Sequence, residues 1–300
     1  MEVKKDSLKA WILASRPKTL TGAAVPVMIA LALAWTDSEA LYPENTFSWT
    51  AAILCLLFAF AMQIDANLIN DFFDYAKGTD NPETRLGPER ACAQGWVSID
   101  RMKRAIAFTT CLACVIGLPL IWYGGLEMIF VGLLSVLFCF LYTTHLSYMG
   151  LGDLLVIVFF GLVPVCCTYY VQLHAITLEV TAASIACGMV IDALLLVNNF
   201  RDRDTDRIAG KNTLVVRIGA KASLFAYLGV GVLGCSFGLT FGLCGHWFAF
   251  FMPLLYLVFH YFTFLKIKKI WQGRELNDCL GETARNIFIY GLLVTIGILI

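Results

Sequence analysis

Long apolar runs separated by short polar ones dominate the chain from residue 19 to its end. An α-helix needs about 17–25 predominantly apolar residues to cross the hydrocarbon core of a bilayer. Nine such stretches are expected, at 19–36, 50–69, 105–122, 126–142, 153–172, 179–199, 222–241, 246–265 and 285–300. The third and fourth join through a tight turn at Tyr123-Gly124-Gly125. Pro26, Pro164 and Pro253 fall inside spans, where the missing backbone donor kinks a helix. The predicted fold class is therefore all-α, a polytopic membrane bundle forming a single domain over 1–300. Two four-helix halves are expected, at about 8–142 and 153–265, followed by a final helix at 285–300.

Composition agrees with this pattern. Hydrophobic residues make up 59% of the 300, charged residues only 15%, and the mean hydropathy is +0.75. A water-soluble globule of this size has no place for so much apolar surface. Lys+Arg and Asp+Glu both number 22, so no nucleic-acid partner is expected. The eleven cysteines lie mostly in apolar runs, where Cys behaves as a small hydrophobe. Cys111 and Cys114 form a lone C-x-x-C, too few ligands for a zinc site. His145, His174, His246 and His260 are isolated and read as surface or packing residues. The segment from Met1 to Asp6 lacks the apolar core of a secretory signal, so none is expected.

Charge placement sets an expected orientation. All 22 basic residues fall in the N-terminal arm and in the loops after spans two, six and eight. The alternate loops carry Asp37, Glu39, Glu44, Glu127 and Glu179 instead. Because cytoplasmic loops concentrate Lys and Arg, the N-terminus and the long polar loops are expected in the cytoplasm of a cell-membrane protein.

Two of those loops open with matched polar stripes. Span two runs into Asn67, Asn70, Asp71 and Asp74, and onward to Asp80. At 100° per residue, Asn67, Asp71 and Asp74 share one face, and Asn70 lies beside Asp74. Span six ends in Asn198, Asp202 and Asp206 at i, i+4, i+8, again one stripe. Like charges at that spacing repel, and carboxylates near a bilayer are costly. A divalent cation relieves both, and Mg²⁺ favours a few carboxylates completed by phosphate oxygens. The stripes are expected to bind Mg²⁺ through Asn70, Asp71, Asp74, Asp202 and Asp206, with Asn67 and Asn198 beside them. Lys77, Arg85, Arg90, Arg201 and Lys211 are candidate diphosphate contacts. Asp192, inside span six, is a functional candidate because ionisable groups are rare there.

These residues carry a resemblance. The chain resembles the UbiA superfamily of membrane prenyltransferases, nine-helix bundles with one Asp-rich motif after helix two and another after helix six. It is most similar to the branch that prenylates 1,4-dihydroxy-2-naphthoate in menaquinone biosynthesis. The matching stretches are Ser15 to Leu20, Asn67 to Asp80, Arg85 to Arg90, Leu151-Gly152-Asp153, Asn198 to Asp206 and Gly210 to Gly219. Gly78 stands where many superfamily members carry the last Asp of the first motif. The resemblance implies Mg²⁺-dependent transfer of a polyprenyl group from polyprenyl diphosphate to 1,4-dihydroxy-2-naphthoate, with loss of CO₂ and diphosphate. It places Asp71, Asp74, Asp202 and Asp206 in catalysis, and Tyr142 where its ring stabilises an allylic cation. Arg16 is the candidate for the acceptor carboxylate. Another acceptor, such as 4-hydroxybenzoate, stays open at this point, as does an ion-coupled transporter, whose site would lie nearer the midplane.

Overall fold

The structure is a computed structural model that describes residues 3–41, 46–78 and 85–300. Every regular element among them is helical. In chain order these are α1 (Leu8–Ser15), α2 (Leu20–Ala40), α3 (Trp49–Ala76), α4 (Ile99–Gly117), α5 (Leu120–Gly124), α6 (Glu127–Leu141), α7 (Gly152–Ile157), α8 (Val163–Leu173), α9 (Leu178–Ile208), α10 (Leu214–Phe237), α11 (Leu239–Leu243), α12 (Trp247–Phe251), α13 (Leu254–Ile270) and α14 (Leu276–Leu299). Joined across their short breaks, eight of these units among the described residues are long and apolar enough to cross a membrane.

The remaining expected span, 105–122, is helical but differs from the others. α4 begins with Ile99-Asp100-Arg101-Met102-Lys103-Arg104, so its first turns are polar, and the chain breaks around Leu118-Pro119 before α5 resumes. The last span is the larger correction. α14 starts at Leu276, not at 285. Its first turns carry Asn277, Asp278 and Glu282, which hide a helix start from a hydropathy reading.

Helix ends extend past the bilayer limits for the same reason. α3 continues through its polar stripe to Ala76, and α9 continues through its own to Ile208. Ser48 caps α3, Thr177 caps α9 and Thr213 caps α10, each hydroxyl accepting a backbone N–H from the first turn. π-helical turns occupy Tyr142–Leu146, extending α6, and Val158–Leu162, between α7 and α8. Such turns often mark functional positions.

α9 is the most enclosed span. Its apolar face joins α2, α8 and α14 in the largest core cluster, around Ile29, Leu33, Tyr169, Val190, Ile191 and Tyr290. A second cluster packs α9 against α10 and α13 through Leu196, Phe200, Tyr227 and Phe264. Exposed Phe130, Leu133, Phe225, Phe262 and similar residues cover the outer surface, as expected where the surrounding solvent is lipid tails.

Candidate active site

The ends of α3 and α9 carry the two stripes to the side of the molecule that holds the basic loops. Asp74 there faces the charges of Lys211, Arg85, Arg16 and Lys77. Asp206 faces Lys211, Asp202, Asp74 and Arg201. Lys211 thus acts on both carboxylates, and Asp74 and Asp206 lie close enough to act on each other. Arg90 pairs directly with Asp74 at 3.2 Å.

Below this mouth a cavity of about 610 Å³ runs into the bundle. Arg16, Asn70, Asp74, Arg85, Arg90 and Lys211 line its charged end, with Tyr142 and Asn198 behind them. Its far part is apolar, walled by Cys55, Phe58, Leu118, Met128, Phe159 and Val171. Asp74 and Cys55 both sit on α3 and both line the cavity. At 1.5 Å per residue the cavity therefore extends about 28 Å along that helix.

Several expected contacts do other work. Asp71 is 1% exposed and does not line the cavity. Its two oxygens accept the backbone N–H groups of Ala91 and Cys92, at 2.8 and 2.9 Å. It anchors the loop that carries Arg90, and both of its oxygens are turned to that backbone and not to the cavity. Asn67 is likewise turned away from the cavity. Its amide donates to the Ser15 carbonyl and to the Thr19 hydroxyl, both at 2.9 Å. Arg201 is 1% exposed, so the expected diphosphate contact is corrected to a buried clamp. It grips Asp202 through two nitrogens, at 2.8 and 2.5 Å, and donates to Asn198 and to Asn277. Asp202 is thereby held by Arg201 on the rim. Lys77 donates to the Thr144 carbonyl at 2.7 Å and lies over the Tyr148 ring, 4.1 Å from its centre. Burial lowers the Lys77 ammonium's pKa; nearby Asp74 raises it, and Lys211 lowers it again. Asp80 lies outside the described residues.

Other participants are missed by the sequence reading. Asn277, at the start of α14, accepts from Arg201 and donates to the Leu86 carbonyl at 2.8 Å. Arg274 donates to the Arg85 carbonyl at 3.2 Å. These bonds dock the 85–90 loop against α9 and α14. A methyl on Gly87 would lie 2.6 Å from an Arg201 guanidinium nitrogen, so a larger residue there would have to displace that clamp. Thr143, on the π turn, donates its hydroxyl to the Asn70 amide oxygen, and Tyr148 sits between Lys77 and Lys211. The only available signal for Asn277 was its polarity beside an apolar run, which also describes an ordinary solvated end.

The donor set bears on a metal. Among the described residues no group of three or more His, Cys, Asp or Glu side chains converges to hold an ion unaided. What converges is Asp74, on the cavity wall with Asn70 and Asn198, and Asp206, which lies outside that lining but close enough to act on Asp74; the two amide oxygens also accept from Thr143 and Arg201. That arrangement fits Mg²⁺, which takes one or two carboxylates and completes its shell with water and substrate phosphates.

Comparison with known proteins gives the family. Residues 23–279 match the UbiA prenyltransferase family. The 1,4-dihydroxy-2-naphthoate octaprenyltransferase of Escherichia coli (strain K12) is 37% identical over 220 residues, covering 70% of this chain and 69% of that protein. The Haemophilus influenzae protein of the same name is 33% identical over 314 residues, covering 98% and 97%. Among solved structures, a UbiA homolog from Aeropyrum pernix K1 superposes with a TM-score of 0.66 at 16% identity, covering 93% of this chain and 96% of that one. A UbiA homolog from Archaeoglobus fulgidus bound to GPP and Mg²⁺ superposes at 0.61 and 14% identity, covering 95% and 99%; at such identity these two show the shared fold. With the family's Asp-rich segments meeting at one mouth of a membrane bundle, the chain belongs to the UbiA prenyltransferase family and is a membrane prenyltransferase.

Proposed function

We propose that the chain transfers a polyprenyl group from polyprenyl diphosphate to 1,4-dihydroxy-2-naphthoate, releasing CO₂ and diphosphate and giving a prenylated naphthoquinol, the reduced form of a demethylmenaquinone. The observation that carries this is the cavity itself. One end is cationic and acidic together, as a metal-bound diphosphate requires, and the other is a long apolar channel suited to a prenyl tail. The acceptor follows from the naphthoate relatives and their extensive coverage of this chain.

Asp74 and Asp206, with the Asn70 and Asn198 amides beside them, would hold Mg²⁺, which would supply charge stabilisation for the leaving diphosphate. The chain's own groups do the rest. Lys211, Arg85 and Arg90 lie where phosphate oxygens arrive, and charge growing on a leaving group is stabilised by such preset donors. Tyr142, on the π turn, lines the same cavity, and its π-face is the group proposed to stabilise an allylic cation. The apolar walls exclude water that would quench that cation. The mouth opens on the side of the basic loops, which by their charge face the cytoplasm.

The test uses purified protein, one polyprenyl diphosphate and a set of aromatic acids, with products identified by mass spectrometry. Prenylated, decarboxylated naphthoquinol is expected, abolished by EDTA and restored by Mg²⁺. Turnover of 4-hydroxybenzoate in preference would replace the acceptor, and full activity in chelator would remove the metal.

A further inference from the structure

α7, together with the π turn that follows it, passes α9 backbone to backbone. A methyl on Gly161 would come within 2.8 Å of the Gly188 Cα, and one on Gly188 within 2.8 Å of the Ile157 Cα. The Gly161 position also abuts the Ser184 carbonyl. The helices run antiparallel, so Gly161 is level with Ser184 and Ile157 with Gly188. One further turn in each, four residues on, sets Asp153 level with Asp192. Gly152 and Leu195 continue the register, with 3.2 Å between a Gly152 methyl and the Leu195 side chain.

Register thus sets the two carboxyls level with each other, one turn beyond the close glycine contact. Asp153 is the charged neighbour that acts on Asp192. Asp192 is 3% exposed, and its Oδ1 has no hydrogen-bond partner; the buried Oδ1 of Asp153 has none either. Buried polar atoms left unmatched in a native fold call for a reason. Asp153 lines the reaction cavity and Asp192 stands behind it. A methyl on Gly152 would lie 3.8 Å from the Tyr142 hydroxyl, so the backbone next to Asp153 approaches that ring, and Asp153 is the first charged neighbour of Tyr142. Tyr142 is the titratable group turned to the pair from the α6 side. Arg217 of α10 reaches the Met149 carbonyl at the entry to α7, and Asp74, Asp206 and Lys211 stand further out at the mouth.

We propose that Asp153 and Asp192 form a proton-sharing carboxyl pair that takes the hydroxyl proton of the aromatic acceptor during prenyl transfer. The proposal rests on the acceptor assigned above. Two close carboxyls hold one proton between them, because both cannot ionise together. The pair then carries one buried negative charge, and taking a second proton removes it. Asp153 touches the acceptor and is the catalytic residue; Asp192 is a positioning residue that stores the shared proton. The acceptor hydroxyl passes its proton to Asp153. The ring carbon bearing the carboxylate, made electron-rich by the oxyanion, bonds to C1 of the prenyl group as the C–O bond breaks and its electron pair leaves with diphosphate. The adduct is a β-keto carboxylate. Loss of CO₂ returns an electron pair to the keto oxygen, and Asp153 gives the proton back to that oxygen. No net proton is consumed.

The test compares wild type, Asp153→Asn and Asp192→Asn as purified full-length protein in detergent with Mg²⁺. Both substitutions keep the side-chain shape. For Asp153→Asn, kcat is expected to fall on the order of 10²–10³ with the KM for polyprenyl diphosphate unchanged. Its kcat should climb about tenfold per pH unit, as solvent ionises the hydroxyl that the residue no longer deprotonates. Asp192→Asn should give a smaller loss and a displaced pH profile. A merely structural role would lower melting temperature and leave the pH profile alone; should Asp153→Asn fail to fold, Asp153→Glu is expected to restore activity with the wild-type profile. Wild-type kcat and pH profile in Asp153→Asn overturn the proposal. Failure of the acceptor reading shows separately, as wild-type enzyme that ignores dihydroxynaphthoate; the same variants are then compared on 4-hydroxybenzoate, also a phenol.

Discussion

Arg16 combines an uncommon backbone with a charged side chain in the cavity. Its φ of 49° and ψ of 69° place it in the left-handed region, which costs a non-glycine residue on the order of 1–3 kcal/mol. The surroundings hold it there. Asn67 donates to the carbonyl of Ser15 and to the hydroxyl of Thr19, and that hydroxyl donates to the Arg16 carbonyl. The strain ends α1 and aims the guanidinium into the chamber that holds Asp74. Arg16 and Asp206 are therefore expected to fail differently when truncated. Asp206→Ala removes charge that counts most as the diphosphate leaves, so kcat should drop on the order of 10²–10³ and saturating acceptor should not rescue it. Arg16→Ala should mainly raise the acceptor KM and spare the KM for polyprenyl diphosphate. Steady-state kinetics with each substrate varied in turn separates the two; an unchanged acceptor KM in folded Arg16→Ala would leave Arg16 as an interfacial residue.

Between helices, a few buried polar clasps fix what apolar packing leaves free. Asp65 is fully buried on α3 and accepts the hydroxyls of Thr109 and Thr110 on α4, at 2.5 and 2.7 Å. This is the span with the most polar start, so the clasp helps seat it. Thr109→Val with Thr110→Val should lower stability by about 1–3 kcal/mol, since an acid is left buried without its donors. Adding Asp65→Leu should recover most of that loss, because removing both partners is far cheaper than removing one. Thermal melting of the three proteins in one detergent measures it.

A second clasp joins the start of α9 to the turn before α12, where His246 hydrogen-bonds Glu179 at 2.8 Å. That bond raises the His246 pKa, and burial partly opposes it. A group with a raised folded pKa stabilises fully below its unfolded value, about 6.5 for histidine, and loses the contribution as pH climbs through the folded value. The melting-temperature difference between wild type and His246→Gln should therefore be largest in acid and shrink as pH rises above neutrality. A difference that grows with pH would reverse the assignment.

At the scale of the whole molecule, most of the bundle was legible because a bilayer imposes one length on every span. The stripes were legible because carboxylates repeat at helical spacing. Sequence spacing locates a side chain on its own helix and says nothing of what stands opposite. Hence Asp71 and Arg201 read as ligands yet bond to Ala91, Cys92, Asp202, Asn198 and Asn277. Asn277 went unseen because α14 opens with polar turns. The Asp153–Asp192 pairing needed the Gly161–Gly188 contact, a property of two helices together. Orientation in the membrane rests on a different argument, the one-sided placement of Lys and Arg. That bias acts during insertion, and it should place Gln272 in the cytoplasm and Glu127 outside. Both are exposed on opposite ends of the bundle, after α13 and at the start of α6. In a background lacking the native cysteines, Gln272→Cys should react with a membrane-impermeant thiol reagent only in inside-out vesicles, and Glu127→Cys only in right-side-out ones. Labelling of both from one side would break the alternation of spans between them, and reversed labelling would put the diphosphate mouth on the outer face, away from any cytoplasmic supply of prenyl diphosphate.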